Sequence, residues 1–284
     1  MVEVNPWDTR YPAPAKLNLF LHVIGRRPDG YHLLQTAFRM IDLCDWLRFT
    51  PRSDGDIKVT RPIAGVAEED NLVVRAARRL QSLGGGAGVD IDLEKNIPIG
   101  GGLGGGSSDC ATTLAALNRL WGLRVSREKL AEIGLTLGAD VPFFLFGRNA
   151  FGEGVGERLA PLALPRAWYL VLVPPVSVST SEIFAAPELT RNSKTIKISG
   201  FSGGFGRNDL EPVVSRRHPE VARHLEWLRQ FGDARMSGSG ACVFAEFATE
   251  REARSVHSKV PADMRGLVVR GLDRQPLAAL LENE

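Results

Sequence analysis

At 284 residues the chain exceeds one ordinary hydrophobic core and suits two domains. Hydrophobic and charged contents of 44% and 24% are ordinary globular values, and a scattered net charge of +2 argues against a nucleic-acid partner, so any pull on an anion must be local. Three cysteines (Cys44, Cys110 and Cys242) with no C-x-x-C pair argue against a disulfide scaffold and a zinc site and fit a reducing cytoplasm.

The first residues, Met1 to Asp8, lack an apolar signal core, and no run of roughly 18 apolar residues predicts a membrane span. Ala15 to Val23 alternates as a half-buried strand, with Ala15, Leu17, Leu19, Leu21 and Val23 on one face. Lys16, Asn18, Phe20 and His22 take the other. Solvent exposure is the preferred reading for His22; for Lys16 and Asn18 alternation settles only that they share a side. Arg26 to Gly30 is a turn built on Pro-Asp-Gly, followed by Tyr31 and His32, a pair that suits either a core edge or a ligand. Strands are expected through 36–43, 46–50 and 56–60. A helix capped by Asp70 or Asn71 carries Leu72, Val73, Ala76, Ala77 and Leu80 inward and stops at Gly84-Gly85-Gly86. Its arginines, Arg75, Arg78 and Arg79, read as a solvated face.

After an alternating strand, Val89 to Glu94, six of the seven residues from 100 to 106 are glycine. So dense a run costs backbone entropy and implies that something approaches the main chain closely. Amides without neighbouring Cβ atoms can converge on an anion, and the following helix, 110–121, aims its N-terminal dipole at the same point. Ser107, Ser108 and Asp109 read as the cap, with the serine hydroxyls free to donate to phosphate. Lys95 either meets a phosphate or is a charged strand end. The P-loop is excluded because no Gly-Lys pair occurs. The dinucleotide pattern Gly100-x-Gly102-x-x-Gly105 is nearly automatic in this tract, and no acidic residue follows about 20 positions on. Protein-kinase signatures are missing.

A helix capped by Ser126, with Val125 and Leu130 as a staple, ends at Gly138; Pro142 then forbids further helix. Asp140 stands at the start of a loop, where a carboxylate is a cap or a base. Trp168 to Val173 is a buried strand that opens a second unit, with the boundary near residue 160. Gly200 to Gly204 fits Gly-x-Ser-x-Gly but lacks a clear helix after the serine. A helix over 219–228, a Gly-rich turn into a strand over 235–245, a capping box at Thr249–Glu252 and a last strand at 267–269 follow. This alternation suggests a ferredoxin-like α+β unit.

Pro98-x-x-x-Gly102-Leu-Gly-Gly-Gly-Ser-Ser-Asp109 resembles the ATP loop of the GHMP small-molecule kinases, and the triple glycine before Ser-Ser-Asp resembles most the kinases of 4-diphosphocytidyl-2-C-methyl-D-erythritol. Gly138 to Phe144 and Arg235 to Ala245 match the second and third signatures of the superfamily, in order. The resemblance implies an α+β, two-domain GHMP kinase architecture: an N-terminal α/β (ribosomal S5 domain 2-like) ATP-binding domain over 1–160 and a C-terminal ferredoxin-like domain over 161–284. It implies ATP and Mg2+ as cofactors and phosphorylation of the substrate's 2-hydroxyl in the non-mevalonate isoprenoid route. Lys16 and Asp140 would be catalytic, with Asp140 as base. Asn71, Lys95, Pro98, Gly100, Gly101, Gly102, Leu103, Gly104, Gly105, Gly106, Ser107 and Ser108 would bind ATP. Asn18, Tyr31, His32, Thr180 and Phe184 would bind substrate.

The resemblance names no protein ligand for the metal; Ser107 is the candidate. A homodimer stays open. The rival readings are a GHMP kinase for another alcohol, a non-catalytic nucleotide-binding module and a nicotinamide dehydrogenase. The stretch after Arg191, with Ser202 to Gly206, departs from typical family members and reads as a mobile insertion.

Overall fold

A computed structural model describes residues 5–84, 87–198 and 206–278. Gly85 and Gly86 of the expected helix stop, the Gly-x-Ser-x-Gly serine, and Ser202 to Phe205 lie outside the described residues.

The architecture rests on one antiparallel pair, β1 (Tyr11–Arg26) and β2 (His32–Arg52), joined at the Pro-Asp-Gly turn where Gly30 takes φ +90°. β2 is a single long strand, where separate strands over 36–43 and 46–50 were expected. Its continuity has a structural cause: one edge pairs with β1, and the other is shared by three strands in succession. These are β5 (Ala150–Gly154), β10 (Arg265–Leu272) and β4 (Gly88–Glu94). β3 (Ile57–Val59) runs parallel to β4, connected by α1 (Leu72–Gln81), and β6 (Arg158–Pro161) pairs with β5.

The face of α1 that turns inward is Val73, Val74, Ala76, Ala77 and Leu80, so Val74 replaces the expected Leu72. α2 (Gly105–Leu120), α3 (Arg127–Leu137) and α4 (Val141–Phe146) complete the helical layer over the first core. α2 begins earlier than expected. Its N-cap is Gly104 in the left-handed region, so Ser107 and Ser108 are first-turn residues, Asp109 follows them inside the helix, and none of the three is the cap. Pro142 likewise starts a helix: it is the second residue of α4, where the missing N–H has no intrahelical partner to lose. Gly138 keeps an extended backbone and does not turn the chain through the left-handed region.

The second half contains β7 (Trp168–Val173), α5 (Thr180–Ala185), α6 (Glu211–Arg217), α7 (Pro219–Arg229), β8 (Arg235–Met236), β9 (Val243–Phe247), α8 (Glu250–His257) and β10. Its strands lie in the order β10-β7-β9-β8 and are mutually antiparallel, which is the ferredoxin-like arrangement. The capping box at Thr249 and Glu252 is formed; α6 had no sequence expectation.

β1 is buried on both faces, which corrects the exposed reading of His22: it is 8% exposed and stacks edge-on against Phe20. The covering comes from the second half. Leu21 and Val23 join a core with Leu170, Leu172 and Val243, while Leu17 and Leu19 join one with Val171 and Phe244. The start of the expected insertion is tied down here, with Ser193 N donating to Val23 O and Ile196 N to Gln35 Oε1. Cys44, Cys110 and Cys242 are free thiols, and burial pushes Cys44 and Cys242 up to about 12. No helix among the described residues is long and apolar enough to cross a membrane.

Candidate active site

The glycine tract is held from behind by its carbonyl groups. Gly100 O accepts from Ala241 N (3.2 Å), Gly101 O from Cys242 N (3.1 Å), Gly102 O from Ser237 Oγ (3.0 Å) and Leu103 O from Lys16 N (2.9 Å). With four successive carbonyls engaged by β1 and the 237–242 turn, the amides from Gly102 to Ser107 make no backbone hydrogen bond among the described residues. They are free donors at the N-terminus of a 16-residue helix. Two glycines are required by this packing. At Gly102 (φ +72°) a Cβ would lie 2.1 Å from Ser237 O, and at Gly104 (φ +72°) it would lie 3.0 Å from Lys16 Cε. Leu103 between them is buried and anchors the loop.

The loop forms one wall of a cavity of about 970 Å³. Lys16 enters from β1, and its Nζ lies 3.2 Å from Asp140 Oδ2. Asp140 occupies the N-cap position of α4 but its side chain makes no cap hydrogen bond; Pro142 has no amide to offer it, and the amide of Phe143 is not used. The carboxylate is thereby left to the lysine. The side chain of Lys16 is 4% exposed and that of Asp140 is 30% exposed, so a ligand in the cavity can reach the acid. Lys16 Nζ also donates to Asn18 Oδ1, and Asn18 Nδ2 donates to Thr36 Oγ1 (2.8 Å). Asn18, on the same side of β1, therefore orients the lysine as well as lining the cavity.

A second buried charge group flanks the loop. Lys95 Nζ binds Asp45 Oδ2 and Asp109 Oδ2, while Asp45 Oδ1 receives the Asn96 and Ile97 amides. Asp45 and Asp109 thus pin both ends of the glycine tract through one ammonium. Burial, with Asp45 nearby, pushes the Asp109 carboxyl up to about 8 against the pull of Lys95. Burial works against the Lys95 charge, but the two carboxylates outweigh it and raise its pKa.

Away from the loop, Tyr31, just before β2, and His32, its first residue, line the cavity together with Phe184 of α5. The His32 and Phe184 rings lie 5.0 Å apart. His32 is held below its ordinary pKa by burial, then by the positive charges of Arg191 and Arg26. Thr180 Oγ1 pairs with Ser239 Oγ at 2.7 Å and ties α5 to the 237–240 turn. Asn71 uses Oδ1 to cap α1 at Val73 N (3.1 Å), leaving its Nδ2 for a ligand.

Every residue expected at the site lies on this cavity wall except Ser108. Its hydroxyl faces the interior of the α2 packing, fully buried and without a hydrogen-bond partner among the described residues, whereas Ser107 lies on the wall. Asp45, Ser239 and Arg191 were not expected. Asp45 and Arg191 are single charged residues outside any motif; Ser239 sits inside the third signature and could have been carried over with it.

A family model described as "GHMP kinases N terminal domain" matches residues 71–148, and one described as "GHMP kinases C terminal" matches residues 186–266. A protein from Thiobacillus denitrificans named 4-diphosphocytidyl-2-C-methyl-D-erythritol kinase is 62% identical over 268 residues, covering 94% of this chain and 96% of that protein. One of the same name from Nitrosospira multiformis is 63% identical over 270 residues, covering 94% and 92%. A crystal structure titled 4-(cytidine 5'-diphospho)-2C-methyl-D-erythritol kinase superposes with a TM-score of 0.80 at 36% identity, covering 93% of this chain and 99% of that one. With the loop, the lysine–aspartate couple and the two-part α+β fold in place, the chain belongs to the GHMP kinases, ATP-dependent enzymes, and within them to the family of the 4-diphosphocytidyl-2-C-methyl-D-erythritol kinases.

Proposed function

We propose that this protein transfers the γ-phosphoryl group of ATP to the 2-hydroxyl of 4-diphosphocytidyl-2-C-methyl-D-erythritol. The observation that carries the reading is the Lys16–Asp140 pair, 3.2 Å apart, on the same cavity as the free amides of Gly102 to Ser107. The amides hold the β- and γ-phosphates. Asp140 accepts the proton of the attacking hydroxyl, the hydroxyl oxygen bonds to the γ-phosphorus, and the β–γ bridging oxygen leaves with ADP. Lys16 orients Asp140 and offsets charge at the transferring group. Phosphoryl transfer is mostly positioning and electrostatics, which fits a rigid amide cradle with one buried cation.

Tyr31, His32 and Phe184 supply flat faces and a ring nitrogen for the cytosine. Asn71, Pro98 and Lys95 line the nucleotide side. Mg2+ bound with ATP neutralises phosphate charge. The Ser107 hydroxyl, a hard oxygen on the first turn of α2, fits that ion as a ligand. Dividing the chain at residue 160 assigns the loop, Lys16 and Asp140 to the first domain and Thr180 and Phe184 to the second, with the cavity between. All these groups come from one chain, so a homodimer is not needed to complete the site. A reducing cytoplasm suits the free thiols.

ADP release measured across a panel of alcohols tests the substrate. Turnover with the cytidyl substrate and none with homoserine or mevalonate is expected. Preference for either of the latter would overturn the assignment.

A further inference from the structure

Arg191 stands behind the cavity wall and joins two of its members. Its Nε donates to His32 Nε2 at 3.0 Å. Its Nη2 donates to the carbonyls of Phe184 (2.9 Å) and Ala186 (2.7 Å), and its Nη1 to Leu189 O (3.1 Å). One guanidinium therefore fixes the end of α5, which carries Phe184, against the imidazole of His32. A guanidinium has donors only and does not deprotonate, so His32 Nε2 must present a lone pair to it. The single proton of the neutral ring is then on Nδ1, which has no hydrogen-bond partner among the described residues.

We propose that Arg191 is a positioning residue that locks His32 as the neutral Nδ1–H tautomer, making the ring a one-way donor to an acceptor on the pyrimidine edge. The proposal rests on the cytidyl substrate assigned above. Cytosine presents N3 and O2 as neighbouring acceptors, and a histidine free to choose its tautomer favours the proton on Nε2, which would leave Nδ1 as a second acceptor facing them. The charged groups bearing on His32 are both cationic: Arg191 from the segment after α5 and Arg26 at the end of β1. Asp29 in the adjacent turn is paired with Arg27 at 2.7 Å. The surroundings thus keep the ring neutral, and the hydrogen bond selects its tautomer.

Two-bond ¹H–¹⁵N correlation on the ligand-free full chain reads the tautomer directly, with His32 assigned by comparison with His32→Gln. The Nδ1–H pattern is expected; an Nε2–H pattern overturns the proposal. In Arg191→Met, the KM for the cytidyl substrate should rise about tenfold above the His32 pKa, the scale of one lost hydrogen bond, with the KM for ATP unchanged. As pH falls through the His32 pKa of that variant, the ring becomes an imidazolium and regains Nδ1–H, so the ratio of variant to wild-type KM should close. A ratio that ignores pH means that Arg191 only braces α5, and overturns the proposal. If Arg191→Met does not fold, the wild-type tautomer decides. Absence of turnover by the wild-type chain on the cytidyl substrate would sink the substrate assignment, a failure distinct from the wrong tautomer.

Discussion

Lys16 Nζ and Asp140 Oδ2 lie 3.2 Å apart, although one side chain comes from the middle of the first strand and the other from the N-terminal end of a six-residue helix. The loop lies against both elements: Lys16 N is bonded to Leu103 O, and a side chain at Gly104 would stand against the lysine stem and the ring of Phe144 in the helix that Asp140 opens. The couple and the amide cradle are thus one assembly.

Asp140→Asn keeps the size of the side chain but removes the carboxylate proposed as the proton acceptor. kcat should fall by about 10²–10⁴-fold, the usual contribution of a positioned base, with the KM for ATP nearly unchanged. Steady-state kinetics check both; near wild-type turnover would remove Asp140 as base.

Tyr31 is 63% exposed at the cavity mouth, so its ring contributes little to the core. Tyr31→Ala should leave the melting temperature within error. It should raise the KM for the cytidyl substrate by about tenfold, as loss of one aromatic stacking contact implies. An unchanged KM would move the cytosine elsewhere.

Two glycines of the tract should behave differently. Gly102→Ala would place a methyl 2.1 Å from Ser237 O in a left-handed backbone, so the loop must shift, and stability should fall by more than about 1 kcal/mol. Gly106→Ala meets only Leu72 Cδ1, at 3.5 Å, and should melt as the wild type does. Thermal denaturation of the two variants separates backbone constraint from composition.

Asp109 binds its proton more tightly in the folded chain, up to about 8 against an ordinary 3.8, because burial and Asp45 disfavour its charge. The stability this contributes is full below the ordinary value and is lost as pH rises through about 8, by at most about 1.4 kcal/mol per pH unit. Asp109→Asn lacks that loss. Its melting temperature relative to wild type should climb between about pH 4 and about pH 8; a flat difference would contradict the buried-proton account.

Much of this site was legible because its residues sit in contiguous or alternating patterns. The glycine tract advertises itself by composition, and Lys16 and Asn18 share a side of β1 by strand periodicity. Residues whose neighbours are distant in sequence were not legible. His22 looks solvent-facing from alternation, yet the second half of the chain covers it. Ser108 and Ser107 are adjacent serines, and only the early start of α2 decides which faces the cavity. The unbroken β2 depends on three partner strands, none of them local. Arg191 has no motif and gains meaning only from the ring nitrogen it reaches.

The most direct measurement is ³¹P NMR of the product formed from ATP, Mg2+ and 4-diphosphocytidyl-2-C-methyl-D-erythritol. A new phosphomonoester on the tertiary carbon, with the diphosphate bridge intact and ADP formed in equal amount, is the predicted result. No new ester, or a phosphate on another oxygen of the erythritol, would contradict the placement of the 2-hydroxyl between Asp140 and the amides of Gly102 to Ser107.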